Sequence, residues 1–89
     1  MKKTLTKNVQ VGIYENCEYV ARIYADKIVV ITPFVKWVGN TGGYAERKDT
    51  IRDANTIARV CAAISADNFE AAWAIIGYRL DDKYLQCAV

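Results

Sequence analysis

Residues 8–32, NVQVGIYENCEYVARIYADKIVVIT, contain the pattern that decides the fold class. Apolar and polar side chains alternate in residues 9–13 and again in residues 19–23, which is typical of β-strands with one buried face. Residues 15–17 between them include an asparagine, which tolerates the left-handed backbone of tight turns. We therefore predict an antiparallel hairpin that pairs Val9 with Ile23, Val11 with Ala21 and Ile13 with Tyr19.

A third strand is predicted at residues 28–32, after a turn at residues 25–27. This strand is apolar on both faces, which is typical of a strand that is covered on both sides. In a small protein the second cover can come from another subunit or from a target. Pro33 is expected to break the ladder, and residues 34–38 can form a short fourth strand. The glycine-rich residues 39–43 are predicted to form a flexible loop.

Two helices are predicted in the C-terminal part of the chain. The first starts at a capping box of Thr50 and Asp53, and the second at Asp67 with Glu70. Their expected buried stripes are Ile51, Ala54, Ile57, Ala58, Cys61 and Ile64 in the first helix, and Phe69, Ala72, Trp73, Ile76 and Leu80 in the second.

The end of the chain has three interpretations. Gly77 stops the second helix early, or the helical spacing continues through Tyr84 and Cys87, or residues 84–89 form an edge strand. The fold class predicted for the single domain, residues 1–89, is α+β. It consists of a three- or four-stranded antiparallel meander followed by two C-terminal helices packed on one face.

Composition narrows the functional classes. The 89 residues are 53% hydrophobic and 25% charged, which is ordinary globular composition, and a net charge of +2 is too small to predict nucleic-acid binding. No stretch approaches the roughly 20 apolar residues of a membrane span, and no apolar segment follows the N-terminal lysines. A soluble cytoplasmic protein is expected, with its three cysteines reduced.

Catalytic chemistry is not expected. The sequence has no histidine, which removes the commonest general base and the Ser-His and Cys-His nucleophile pairs. Without histidine, the three separated cysteines also lack a fourth zinc ligand. We predict neither a catalytic residue, a metal nor a cofactor.

One candidate binding site is the segment of residues 37–52. It combines aromatic residues for stacking, basic residues for phosphate contacts and the start of a helix, where unpaired N–H groups attract anions. The candidate ligand- or anion-binding residues are Trp37, Tyr44, Arg47, Lys48 and Arg52. An ordinary strand-to-helix connection and a protein-contact loop are the alternatives.

A second set of candidates points to a protein partner. Tyrosines flanked by charges on the outer face of a sheet are typical of binding surfaces, and equally of ordinary cross-strand pairs. Two adjacent aspartates near the end of the second helix form a contact for a basic partner, or a solvated turn. The candidate partner-binding residues are Tyr14, Glu18, Val20, Arg22 and Tyr24 on the sheet, with Asp81 and Asp82 at the helix end.

In size and layout the whole chain resembles small phage- or mobile-element-encoded inhibitors of bacterial defence, including anti-CRISPR proteins. The resemblance implies a non-enzymatic protein that occupies the surface of a bacterial defence or host protein. A second hypothesis is an oligomeric binder of a nucleotide-like ligand at residues 37–52. A third is a DNA-binding regulator that uses Arg52 and Arg59.

Overall fold

The computed structural model describes residues 3–11, 15–39 and 41–86. An antiparallel sheet with its strands in sequence order is followed by helices, so the predicted α+β fold is confirmed. The elements are β1 (Lys3–Val11), β2 (Glu15–Ile23), β3 (Ile28–Val38), β4 (Thr41–Ile51), α1 (Ala54–Ser65), α2 (Phe69–Leu80) and α3 (Lys83–Gln86).

The core lies between one face of the sheet and the helices. Every second side chain of the strands points toward α1 and α2, and packs there against the side chains on the inner faces of the helices. The buried hydrophobic residues from the strands are Leu5, Tyr19, Ala21, Ile23, Ile28, Val30 and Ile51, and those from the helices are Ile57, Val60, Ile64, Ala72, Trp73, Ile76 and Leu85.

The predicted register of the first hairpin is wrong. Tyr19 pairs with Lys7, and Ala21 pairs with Leu5, which is buried. Residues 15–17, predicted to be a turn, belong to β2, and the connection falls between Val11 and Glu15. The shift is by an even number of residues, so β2 still buries the predicted face.

The predicted break at Pro33 is also wrong, because β3 continues through this residue to Val38. The pairing of β3 with β2 ends at Ile31, so the proline lies where β3 is bonded to β4 alone. A proline is tolerated there because the missing N–H has no second neighbour to bond.

The predicted loop at residues 39–43 is a tight turn. Val38 pairs with Thr41, which leaves a two-residue connection that begins with Gly39 at φ 62°. Glycine adopts this left-handed backbone without a steric penalty, as tight hairpins require. Residues 41–43 are therefore the start of β4 and not part of a flexible loop.

Both helices begin later than predicted. Thr50 and Ile51 belong to β4. The N-cap of α1 is Asp53, whose carboxylate accepts a hydrogen bond from the hydroxyl of Thr56 at 2.6 Å. The α2 cap is Asn68, whose side-chain oxygen accepts a hydrogen bond from the N–H of Ala71 at 3.2 Å, and the predicted cap Asp67 has a left-handed φ of 55°.

The buried stripe of α1 differs from the predicted one, whereas in α2 Ala72, Trp73 and Ile76 are buried as predicted. Ala54 and Ala58 are exposed, whereas Thr56 and Val60 are buried. Trp73 is in the core as predicted. Phe69 is not, with 42% of its surface exposed. The face that α1 turns to the core is centred on Ile57, Val60 and Ile64, which leaves the two alanines at its margin, and Phe69 is exposed at the first position of α2.

The three interpretations of the chain end are resolved up to Gln86. A left-handed residue, Asp81, terminates α2, and the N–H of Asp82 donates to the carbonyl of Gly77 at 2.8 Å. The chain then reverses into α3, which packs directly over Gly77. The glycine therefore accommodates a close helix contact and does not end α2.

We expect Asp53→Asn to remove a pH-dependent contribution to the free energy of unfolding, while asparagine still serves as the N-cap of α1. The hydrogen bond from Thr56, followed by backbone N–H groups and the charge of Arg79, lowers the pKa of Asp53. A lowered folded-state pKa stabilises the protein above the unfolded pKa of about 3.9, and this contribution is lost as the pH falls through the folded value.

Thermal unfolding of both proteins between neutral and acidic pH measures this difference. The wild type should have the higher melting temperature at neutral pH, and the gap should narrow below about pH 4. A gap that stays constant across this range contradicts the assigned role of the carboxylate charge.

Candidate functional site

The sheet face turned away from the helices is not covered by any described part of the chain. Val20, Val29 and Ile31 are half-buried at its centre, while the charged residues around them are exposed. We call this surface the open face and define it by Glu18, Val20, Arg22, Val29, Ile31, Glu46 and Lys48. Val29 and Ile31 are the second apolar side of β3, opposite the side that lies in the core.

Strand pairing gives the open face an ordered charge pattern. Val20 lies opposite Ile31, which in turn lies opposite Lys48, and this row forms the middle of the surface. Val29 pairs with Arg22 in the next row on one side. On the other side, Glu18 of β2 and Glu46 of β4 stand two residues before Val20 and Lys48 respectively. An acidic end and a basic end therefore flank the apolar centre.

Part of the predicted partner surface lies on this face. Glu18, Val20 and Arg22 project from β2 there, as the alternation predicts. Tyr24 is half-buried in the β2–β3 turn, where the Lys27 ammonium lies 5.3 Å from its ring centroid. Tyr14 lies outside the described residues.

Other residues of the open face were missed from sequence. Val29 and Ile31 were signalled by the two-sided apolar pattern of β3, but were not assigned as site residues. Glu46 was assigned to no site and Lys48 to the anion-binding segment instead, because the residues around them were not predicted to form a strand. Only the β3–β4 pairing brings them to this surface.

The five predicted anion-binding residues are not brought together. Trp37 and Tyr44 lie in the part of the β3–β4 hairpin near its turn, and their side chains are outside the described part of the chain. Arg52 follows the far end of β4. An 11-residue strand is about 35 Å long. Arg47 and Lys48 are successive strand residues, so they project to opposite faces.

Arg47 instead forms an internal ion pair with Asp82. Its guanidinium contacts Asp82, and its Nε donates to Asp49 at 2.9 Å. The hydrogen bond with Asp82 raises the pKa of Arg47, and the Asp82 side chain is only 10% exposed. Two residues assigned from sequence to separate binding sites therefore fasten the α2–α3 connection to β4. Asp81 remains exposed beside them.

The structure has a groove between α1 and α2 that the sequence did not predict as a site. It has a volume of about 240 Å³ and is lined by Thr56, Arg59, Ile75, Tyr78 and Arg79. Tyr78 is 71% exposed. The adjacent Tyr78 and Arg79 on a surface helix were the available sequence signal.

Other kinds of site have no counterpart among the described residues. None of the helices there is long and apolar enough to cross a membrane. The same part of the chain contains no cluster of three or more cysteine or acidic residues arranged to hold a metal ion. Cys61, a half-buried residue of α1, has a free thiol.

Comparisons with known proteins give no match: no protein-family model matches the chain, and neither does a curated protein or a solved structure at a significant level.

Proposed function

We propose that this is a non-enzymatic binding protein that occupies the surface of a protein partner with its open face. The observation that supports this most is the half-buried apolar centre of Val20, Val29 and Ile31. Burial of such a centre in an interface stabilises the complex, by about 25 cal/mol per Å² of apolar surface removed from water. The helices of the same chain pack on the opposite side of the sheet.

The surroundings of the apolar centre favour a protein partner over a small ligand. Protein interfaces combine an apolar core with a polar, charged rim. The open face has this arrangement, with Arg22 at one end, Glu18 and Glu46 at the other, and Lys48 beside the apolar centre. A complementary partner therefore presents acidic groups to Arg22 and Lys48, a basic group to Glu18 and Glu46, and apolar side chains to the centre.

The resemblance in size and layout to phage- and mobile-element-encoded inhibitors suggests the class of partner. We propose a bacterial defence or host protein, which is inhibited because the bound chain blocks its surface. The absence of histidine from the sequence supports action by binding rather than by catalysis.

Photo-cross-linking in bacterial cells tests the proposal. A photoreactive amino acid is placed at Lys48, an exposed residue at the edge of the open face, or at Asn55, an exposed residue of α1. We expect position 48 to give an adduct with one partner protein, and position 55 to give none.

The mass of the adduct identifies the occupant. An adduct of twice the chain's own mass means that a second copy covers the open face, and this result overturns the proposal of a different partner. Equal labelling from both positions, or no adduct from position 48, also contradicts it.

A further inference from the structure

The groove between α1 and α2 has a positive charge balance. Arg59 and Arg79 are exposed and form no ion pair with any residue in the described ranges. The neighbouring carboxylate of Asp53 is occupied by the Thr56 hydroxyl and the Asn55 N–H. The single negative charge of Asp53 offsets only one of the two guanidinium groups, so the groove keeps a net positive charge that favours an anion.

The groove also has an aromatic and an apolar wall. The Tyr78 ring is largely exposed, while Ile75 is half-buried beside it. An exposed tyrosine can stack on the planar face of a base, whatever the base's identity. Charged donors and a stacking surface within one groove are the combination that a nucleotide requires.

We propose that this groove binds a mononucleotide, with its phosphate on Arg59 and Arg79 and its base against Tyr78. Arginine suits this role because its planar fork of N–H groups matches two phosphate oxygens at once. The volume of about 240 Å³ is below the roughly 300–1,000 Å³ of pockets for drug-sized ligands. It fits the phosphate and sugar while the base covers the exposed ring.

This site is independent of the proposed partner surface. The groove lies between the two helices, whereas the open face is on the other side of the sheet. Both can be occupied at once, so the loss of one binding activity leaves the other measurable.

Calorimetric titration with adenosine 5′-monophosphate, adenosine and inorganic phosphate tests the proposal. We expect saturable binding of the monophosphate, with adenosine and phosphate each at least about tenfold weaker, because each lacks one of the two contacts. Phosphate that binds as tightly as the nucleotide indicates an adventitious anion site and overturns the proposal. No saturation up to about 10 mM nucleotide also overturns it.

Variants locate the binding in the groove. Arg59→Ala, Arg79→Ala and Tyr78→Ala should each weaken nucleotide binding by about tenfold or more. Arg52→Ala is the matched control, since Arg52 is exposed but does not line the groove. Circular dichroism confirms that each variant is folded. Folded variants that bind like the wild type, or a control that loses binding to the same extent, contradict the assignment.

Discussion

Gly77→Ala should destabilise the protein, although alanine is the better helix former by about 1 kcal/mol. A Cβ atom at position 77 would lie 2.7 Å from the backbone nitrogen of Gln86 and 3.0 Å from the carbonyl oxygen of Asp82. Backbone atoms cannot rotate away, so α3 has to separate from α2. Overpacking of this kind costs about 1–3 kcal/mol. We expect the melting temperature to fall by roughly 4–24 °C, at about 4–8 °C per kcal/mol.

Gly43→Ala is the control for the general effect of replacing a glycine. Its added Cβ meets no atom within 4 Å, and the residue is exposed in β4. The melting temperature should stay within a few degrees of the wild type, because the substitution changes mainly the conformational entropy of the unfolded chain, which is a small effect. A Gly77→Ala protein as stable as the Gly43→Ala protein would show that α3 does not pack closely on α2.

Val30→Glu and Ile31→Glu should have opposite outcomes despite being neighbours on β3. Val30 is 0% exposed in the core, so a carboxylate there has to be buried or the helices displaced. The cost is several kcal/mol, a large part of the roughly 5–15 kcal/mol that stabilises a small domain. We expect Val30→Glu to be unfolded at neutral pH.

Ile31→Glu should keep the fold. Ile31 projects to the open face and pairs with Lys48, so a carboxylate there reaches solvent and a cross-strand cation. Far-UV circular dichroism and thermal unfolding distinguish the two variants. If both unfold, or both remain folded, the sheet does not have one covered face and one open face.

Part of the fold follows from sequence because one pattern determines it. In β2 the alternation at Tyr19, Ala21 and Ile23 fixes which side chains are buried, and the structure confirms it. The pairing with β1 does not follow, because every even shift keeps the same face inward. Leu5 is the residue opposite Ala21, and its side chain belongs to the core that the sheet forms with the helices. Those helices are distant from β1 in the sequence.

The strand β4 could not be predicted from local pattern. Its sequence, TGGYAERKDTI, has glycines, charges and few apolar residues, and its first half reads as a loop. Pairing with the long β3 strand and the tight turn at Gly39 hold it in the sheet. The first predicted helix therefore began too early, at residues that belong to this strand.

The candidate sites show the same dependence on tertiary structure. The outer residues of β2 could be assigned from sequence, since they alternate with a clear buried set. The groove formed by Arg59 and Tyr78 with its neighbours could not, because they meet only when α1 packs beside α2. Similarly, no local pattern indicates that Arg47 pairs with Asp82.

The most direct test of the open face as a binding surface is the affinity of the cross-linked partner for the folded Ile31→Glu protein. The hot-spot residues near the centre of an interface contribute about 2 kcal/mol or more, so if Ile31 is one of them, binding should weaken by about 30-fold or more. Asn55→Glu, which changes the net charge by the same amount at an exposed position of α1 away from this face, should bind like the wild type. Undiminished binding by the Ile31→Glu protein would contradict the account.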